Sequence, residues 1–325
     1  MKNRKTIFLS FVVLIFLLLL TIFISANSGS IKATFSEMFF GLFNNKFENV
    51  NAIVDLRFPR IIIALLVGAS LAVSGLLLQT VIKNPLIDPS IIGVSSGANL
   101  FLYLGLYLLP SFINYKEIFS IIGGIVGFLI IYLLASKTKS NVTIILLGIA
   151  ISTFFSGILN FINYLQSSNG NNLKAKANLG MKSWDDVRLL LLWLPIFLII
   201  SFLLARVCNV FVLSDEVITS LGKDVHFIRL LVSLVAVILA SVATSVAGVV
   251  VFLALITPHI AKIIIGKNHI VTTPFTALLG AFVFLLFDTV GRVVFQPIEI
   301  PADIIMMIIG APVFVLLIKR GLRDG

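Results

Sequence analysis

Long uncharged runs of apolar residues alternate along the chain with short segments that hold most of the polar side chains. A helix needs about 20 predominantly apolar residues to cross a bilayer. By that criterion the sequence predicts ten spans, at residues 6–27, 59–82, 91–109, 118–135, 142–162, 187–208, 228–247, 249–266, 273–293 and 302–318. The fold class that we predict is an all-α integral membrane protein, a polytopic bundle of about ten transmembrane helices with a short cytoplasmic helix.

The first run resembles a secretory signal, because basic residues precede it and small residues follow it. Its apolar stretch from Ile7 to Ala26 is longer than the roughly 7–15 residues of a signal-peptide core. We therefore interpret residues 6–27 as an uncleaved first span, with cleavage as the alternative.

Almost no polar residue separates the seventh span from the eighth. We place a sharp reversal at Gly248, because a residue without a Cβ adopts backbone conformations that other residues avoid. A single bent helix is the alternative.

Composition excludes a soluble fold. Of the 325 residues, 59% are hydrophobic and 12% are charged, whereas a soluble globular chain carries about 25% charged residues. The net charge of +10 comes from short basic clusters between apolar runs, so membrane topology explains it and nucleic acid is not an expected partner. The positive-inside rule predicts that both termini are cytoplasmic.

We expect one transmembrane domain, residues 1–325, with a cytoplasmic segment at 209–227. The sequence lacks the GxxxxGK[ST] phosphate loop of an ATPase. Its single cysteine, Cys208, excludes a disulfide framework and a cysteine metal site. The three histidines lie far apart, and none accompanies a serine as a base would. We therefore predict no catalytic residue, no bound metal and no cofactor.

A hinge with two prolines and two glycines follows the second span. Small residues in that span suit close helix packing in lipid, and irregular backbone at membrane depth needs protein or water around it. A tight re-entrant turn and a wall of a translocation path both fit this pattern. The candidate path and hinge residues are Gly75, Gln79, Asn84, Pro85, Gly93, Ser95, Ser96 and Gly97.

Arginines mark the predicted outer surface. Arg57 and Arg60 precede the second span, while Asp288 and Arg292 lie one turn apart near the end of the ninth. A guanidinium presents a fixed fork of donors that suits carboxylates. Docking of an acidic partner, interfacial snorkelling and a pair within one helix are the three interpretations.

A short amphipathic helix is predicted on the cytoplasmic side. Ser214 can cap it, Asp215 and Glu216 suit its positive end, and Gly222 suits its stop. Such a helix between two spans can contact a motor subunit or can be an ordinary connector.

Five stretches resemble the FecCD-like membrane permeases of type II ATP-binding cassette importers, which take up siderophores, haem and cobalamin. The resemblance covers residues 55–320. The stretches are LRFPR at 56–60, GASLAVSGLLLQTVIKNPLIDPSIIGVSSGA at 68–98, LSDEVITSLG at 213–222, FLALITPHIAK at 252–262, and DTVGRVVFQPIEIP with IGAPVF within 288–314.

The resemblance implies an assembly in a bacterial cytoplasmic membrane, which this chain crosses several times. Its expected partners are a second permease subunit, two cytoplasmic ABC ATPases that use the ATP, an extracellular substrate-binding lipoprotein, and membrane lipid. It implies transport without chemical catalysis by this chain. Ferric siderophores are the first expected substrate, haem iron the second and cobalamin the third.

The resemblance also assigns roles to residues. It implies that Arg57, Arg60 and Arg292 dock the binding protein. It implies that the helix at 214–222 couples the spans to an ATPase, with Ser214, Asp215, Glu216, Leu221 and Gly222 as its candidate residues. An inner gate is expected by position at 138–143, with Asn141 and Val142 as candidates. The chain departs from many relatives at Val249, where they have proline, and at 178–184.

Two other classes of protein are alternatives to an importer permease. A secondary transporter driven by an ion gradient usually needs acidic groups within the bilayer, and the acidic residues inside the predicted spans, Asp288 and Asp303, lie close to span ends. An intramembrane enzyme would need paired Asp, a Ser and His set or a metal motif within the spans, and the sequence has none of these.

Overall fold

The structure is a computed structural model that describes residues 3–28, 55, 57–135, 141–168, 179, 182–294 and 298–321. Within these residues the chain is helical and contains no strand. The α-helices, numbered here in chain order, are α1 Arg4–Asn27, α2 Phe58–Val81, α3 Val94–Leu108, α4 Lys116–Ala135, α5 Asn141–Ser168, α6 Trp184–Cys208, α7 Asp215–Ser220, α8 Val225–Ala247, α9 Leu253–Ile265, α10 His269–Val293 and α11 Ala302–Gly321.

Ten apolar helices occupy the ten predicted spans, which confirms the predicted fold class. Seven of them are long and apolar enough to cross a membrane by length and composition. The other three are shorter in their apolar part, at Val94–Leu108, Leu253–Ile265 and Ala302–Leu316. At 1.5 Å per residue, a helix of 13 residues such as α9 reaches only about 20 Å. It therefore needs non-helical chain to complete a crossing.

The connection between α8 and α9 shows why α9 is short. Gly248 has a φ of 72° and ends α8, so the predicted reversal at this glycine is correct and the bent-helix alternative is wrong. The predicted span at 249–266 began too early, because helix resumes only at Leu253. Phe252, which immediately precedes α9, also has a positive φ of 69°. The break therefore extends through residues 248–252.

The centre of the bundle is formed by α2, α8 and α10. Helix α2 packs against α6, α8, α9 and α10, and most of its side chains are buried. By contrast, α1 buries only Leu14, Thr21, Ser25 and Ala26 and packs mainly on α10. The apolar surface of α1 suits contact with lipid.

Glycines set the spacing of the central helices. A methyl group placed on Gly75 would lie 1.9 Å from the carbonyl oxygen of Ala254 on α9, and one on Gly68 would lie 2.4 Å from the carbonyl oxygen of Gly280 on α10. Backbones that approach this closely leave no room for a Cβ. The path candidate Gly75 is thus a contact point between α2 and α9.

We expect Gly75→Ala to destabilise the protein by about 1–3 kcal/mol, because the added methyl forces α2 away from α9. Thermal unfolding of the purified protein in detergent measures the effect. Gly157→Ala is the matched control, since a methyl group there would meet no atom within 4 Å. Equal melting temperatures for the two variants would contradict this packing.

Candidate functional site

A buried ion pair joins the outer ends of α2 and α10. The Arg60 Nε donates to Asp288 Oδ1 and Oδ2 at 3.1 and 3.0 Å, and its Nη2 donates to Oδ1 at 2.9 Å. Asp288 is 0% exposed and Arg60 is 6% exposed. The remaining nitrogen, Nη1, donates to Glu299 Oε2 at 2.6 Å. Glu299 precedes α11, and its side chain is 50% exposed. Arg60 therefore holds one buried carboxylate and one that solvent reaches.

The other two candidate docking arginines bind the end of α1. Arg292 Nη2 donates to the hydroxyl oxygen of Ser25 at 2.5 Å and to its carbonyl oxygen at 3.2 Å. Arg57 Nη1 donates to the carbonyl oxygen of Ala26 at 2.7 Å. The last carbonyls of a helix lack partners within the helix and carry a partial negative charge. The two arginines therefore stabilise the C-terminus of α1.

The structure thus brings the three arginines together at one end of the bundle. Each of them has a partner within the chain, and Arg60 and Arg292 are buried. The pair within α10 exists, with Arg292 Nε 3.5 Å from Asp288 Oδ2, but Arg60 is the closer partner of that carboxylate. Sequence reasoning missed the Arg60–Asp288 pair and Glu299. Docking by these arginines stays a prediction.

The hinge between α2 and α3 is a hydrogen-bonded turn. Lys83, two residues beyond the end of α2, has a φ of 55°, and Gly93, with a φ of 78°, precedes α3. Asn84 Oδ1 accepts from the backbone nitrogen of Leu86 at 2.9 Å. Asp88 Oδ1 accepts from the backbone nitrogen and hydroxyl of Ser90. Burial raises the pKa of Asp88 to about 6. Local hydrogen bonds thus satisfy Asn84 Oδ1 and Asp88 Oδ1, whereas Asp88 Oδ2 is buried without a hydrogen-bond partner among the described residues.

Gln79 links this hinge to α9. Its Nε2 lies 3.3 Å from the carbonyl oxygens of Ile87 and Ala254, and its Oε1 accepts from Lys262 Nζ at 3.2 Å. The candidate path residues that are buried within the chain are Gly75, Gln79, Asn84, Gly93, Ser95, Ser96 and Gly97, whereas Pro85 is exposed. The geometry is that of the tight turn, and a path role for these residues stays a prediction.

Helix α7 forms as its sequence predicts. Ser214 caps it by accepting from the backbone nitrogen of Val217 at 3.5 Å, and Gly222 follows it with a φ of 73°. Ile218 is buried, while Glu216 and Leu221 are exposed. Hydrogen bonds and charges from Lys83 and Arg229 hold the pKa of Asp215 below its ordinary value. The Asp215 carboxylate therefore stays ionised at neutral pH.

A polar face of α5 was missed by the sequence analysis. Thr153, Ser156, Gly157 and Asn160 are exposed on this apolar helix, whereas the partly buried Ser152 donates to the hinge carbonyls of Ser90 and Ile91 at 3.0 Å. Polar side chains that face hydrocarbon are unfavourable. This face therefore suits a water-filled path or another subunit. The spacing of three and four residues was visible in the sequence.

The predicted inner gate at 138–143 lies partly outside the described residues, because 138–140 are not described. Asn141 begins α5, and Val142 is 64% exposed. Residues 136–140 are not described, and neither are residues 178, 180 and 181 of the outer segment at 178–184. The gate stays a prediction.

Comparisons with known proteins agree with this geometry. The model of the FecCD transport family matches residues 14–320. The chain is 40% identical over 324 residues to the "Probable heme-iron transport system permease protein IsdF" of Staphylococcus aureus strain Newman, covering 99% of this chain and 98% of that protein. The protein of the same name from strain MW2 is 39% identical over the same length.

Solved structures have the same fold. A metal-chelate type ABC transporter in an inward-facing conformation superposes with a TM-score of 0.80 at 27% identity, over 98% of this chain and 100% of that one. PsaBC from Streptococcus pneumoniae gives a TM-score of 0.56 at 17% identity, over 87% and 95%. The second likeness concerns the fold alone.

These observations define a multi-pass permease of a bacterial ABC importer. The chain belongs to the FecCD transport family. The resemblance found in the signature stretches is confirmed.

Removing the buried carboxylate of Asp288 should destabilise the protein. We expect Asp288→Asn to lower the free energy of unfolding by about 3–5 kcal/mol, because it leaves two buried guanidinium groups without their shared anion. The matched control is Glu299→Gln, whose half-exposed side chain contributes little to stability because water screens its charge. Denaturation in detergent compares the two variants, and equal losses would contradict the assigned importance of Asp288.

Proposed function

We propose that this chain is the membrane permease of an ATP-driven importer that carries haem iron into the cytoplasm. The observation that carries the substrate is the 40% identity, over nearly the whole of both chains, to a protein named as a heme-iron permease. This favours haem, the second expectation from the sequence, over ferric siderophores, the first. Cobalamin has no support among these relatives.

The proposed assembly contains a second permease subunit, two cytoplasmic ABC ATPases and an extracellular substrate-binding lipoprotein. ATP is used by the ATPases, and this chain binds no cofactor and forms no chemical bond. Both termini face the cytoplasm in this arrangement. It follows that α7 lies on the cytoplasmic side and the Arg60–Asp288 pair on the outer side.

The surface around α7 supports contact with an ATPase. Val212, Val217, Leu221 and Phe227 are apolar and exposed there. An apolar patch of this kind on a polar, solvent-facing connection marks a protein contact. In the proposed cycle, closure of the ATPases displaces α7 and opens the bundle.

The arginines at the outer end of the bundle, Arg57, Arg60 and Arg292, can dock an acidic partner if a carboxylate of that partner displaces Glu299. Asp288 is too deeply buried for a partner's carboxylate to displace it from Arg60. Glu299 reaches solvent and binds a single nitrogen of Arg60. A carboxylate of the binding protein would take the place of Glu299. Arg57 and Arg292 add positive charge beside it, which favours an acidic surface.

The polar face of α5 supports a path between two permease subunits. In a pair of subunits whose α5 helices face each other, Thr153, Ser156 and Asn160 would line water rather than lipid. This placement removes the cost of exposing them to hydrocarbon.

The substrate is tested by uptake of radioactive iron in cells that lack this chain and in cells to which it is restored. We expect cells without this chain to lose uptake of iron from haem and to recover it when the chain is restored. Uptake from ferric siderophores should be unchanged in both, because the path and its partners select the iron complex. Loss confined to a siderophore would overturn the haem assignment and leave the importer class intact.

Water access to α5 is tested by thiol labelling. Ser156→Cys should react with a membrane-impermeant maleimide in the assembled transporter, because we place residue 156 in the aqueous path. Ile196→Cys is the control, on the exposed apolar surface of α6, and should stay unlabelled. The native Cys208 is buried. Equal labelling at both positions would rule out the path.

A further inference from the structure

Helix α7 is too short to hold its own position. It has six residues, and isolated helices shorter than about 12–15 residues are marginal in water. From residue 212 to residue 224 only Ile218 is buried. The orientation of α7 on the bundle must therefore depend on a few specific contacts.

Asp215 makes the main polar contacts from α7 to other helices. Its Oδ1 lies 2.8 Å from Lys83 Nζ and its Oδ2 lies 2.9 Å from Arg229 Nη2. Lys83 follows α2 at the start of the hinge, and Arg229 lies in the second turn of α8. A single carboxylate thus joins three elements.

Both cations have a second contact that closes the cluster. Lys83 Nζ donates to the carbonyl oxygen of Leu213, just before α7, at 2.6 Å. Arg229 Nε donates to the carbonyl oxygen of Val81, at the end of α2, at 3.0 Å, and its guanidinium lies 5.9 Å from the centre of the Phe211 ring. The cluster therefore fixes α7 to the cytoplasmic end of α2.

Movement of the C-terminal end of α2 can be transmitted to the hinge, to α9 and to α5. Helix α2 continues into the hinge. Hydrogen bonds of Gln79 connect the hinge to α9, and a hydrogen bond of Ser152 connects it to α5. The ion pairs themselves are partly exposed, with side-chain exposures of 34% for Lys83 and 48% for Asp215. Exposed pairs of this kind add little to stability. Their effect is thus on geometry, and a variant without them should still fold.

We propose that Asp215 is a positioning residue that locks α7 to the end of α2 and to α8, so that displacement of α7 by an ATPase moves the hinge instead of tilting α7 alone. The proposal rests on the proposed function, because it requires an ATPase on α7. It assigns to Asp215 a role in the efficiency of transport and none in binding the iron complex.

The experiment uses the complete transporter reconstituted with its ATPases. Spin labels at Ser220→Cys on α7 and Leu86→Cys in the hinge report their separation by pulsed electron paramagnetic resonance, with and without ATP. Both positions are exposed, and Cys208 is buried. ATP should leave this separation unchanged in the parent protein and should change or broaden it after Asp215→Asn.

Transport supplies the second measurement. Asp215→Asn should retain ATPase association and ATP hydrolysis but should lower haem uptake per ATP several-fold. Asp215→Glu, which keeps the charge, should restore most of the ratio. Asp185→Asn is the matched control, because it removes an exposed ion pair with Arg188 within α6 and leaves α7 unchanged.

Three results would overturn the proposal: the same response of the label separation to ATP with and without Asp215, an unchanged ratio of uptake to hydrolysis, or loss of ATPase association in Asp215→Asn. Failure of the proposed substrate is distinguishable from these. In that case the parent transporter hydrolyses ATP and moves no haem, while the label separation still tests the link between α7 and α2.

Discussion

Hydrocarbon does not solvate polar groups, and the arrangement of this bundle follows from that constraint. Asp288 can lie fully buried between α2 and α10 because Arg60 supplies two nitrogens to its carboxylate. An unpaired charge at that position would cost several kcal/mol. The same constraint explains the hinge, where Asn84 and Asp88 bind the backbone and side chains of their own turn. The exposed polar face of α5 is the exception, and for that reason it marks a surface that lipid does not cover.

The fold was largely predictable from the sequence, because apolar length alone is a strong signal for a membrane helix. The ends of the helices were less predictable. Residues 249–252 are apolar like the helix that follows them, so hydropathy assigned them to a span although the chain is not helical there. Gly248 was the one local signal of that break, through its need for a positive φ.

The site was less predictable than the fold. The caps of α7 are local, so Ser214 and Gly222 were correctly assigned. The partners of Arg60 and Asp215 lie on other helices, and spacing along the chain says nothing about them. Spacing even favoured Arg292 as the partner of Asp288, although the shorter contacts come from Arg60. The family resemblance located these arginines at one surface, but only the folded structure shows that each of the three already has a partner within the chain.

We propose that this FecCD-family permease admits haem iron when ATPases act on its cytoplasmic side. The most direct measurement is haem accumulation in proteoliposomes that contain the purified permease, its ATPases and its binding protein, with the vesicle interior as the destination. The account predicts accumulation that requires ATP on the ATPase side and stops when the binding protein is omitted. Haem entry at the same rate without ATP, or driven by an ion gradient alone, would contradict it.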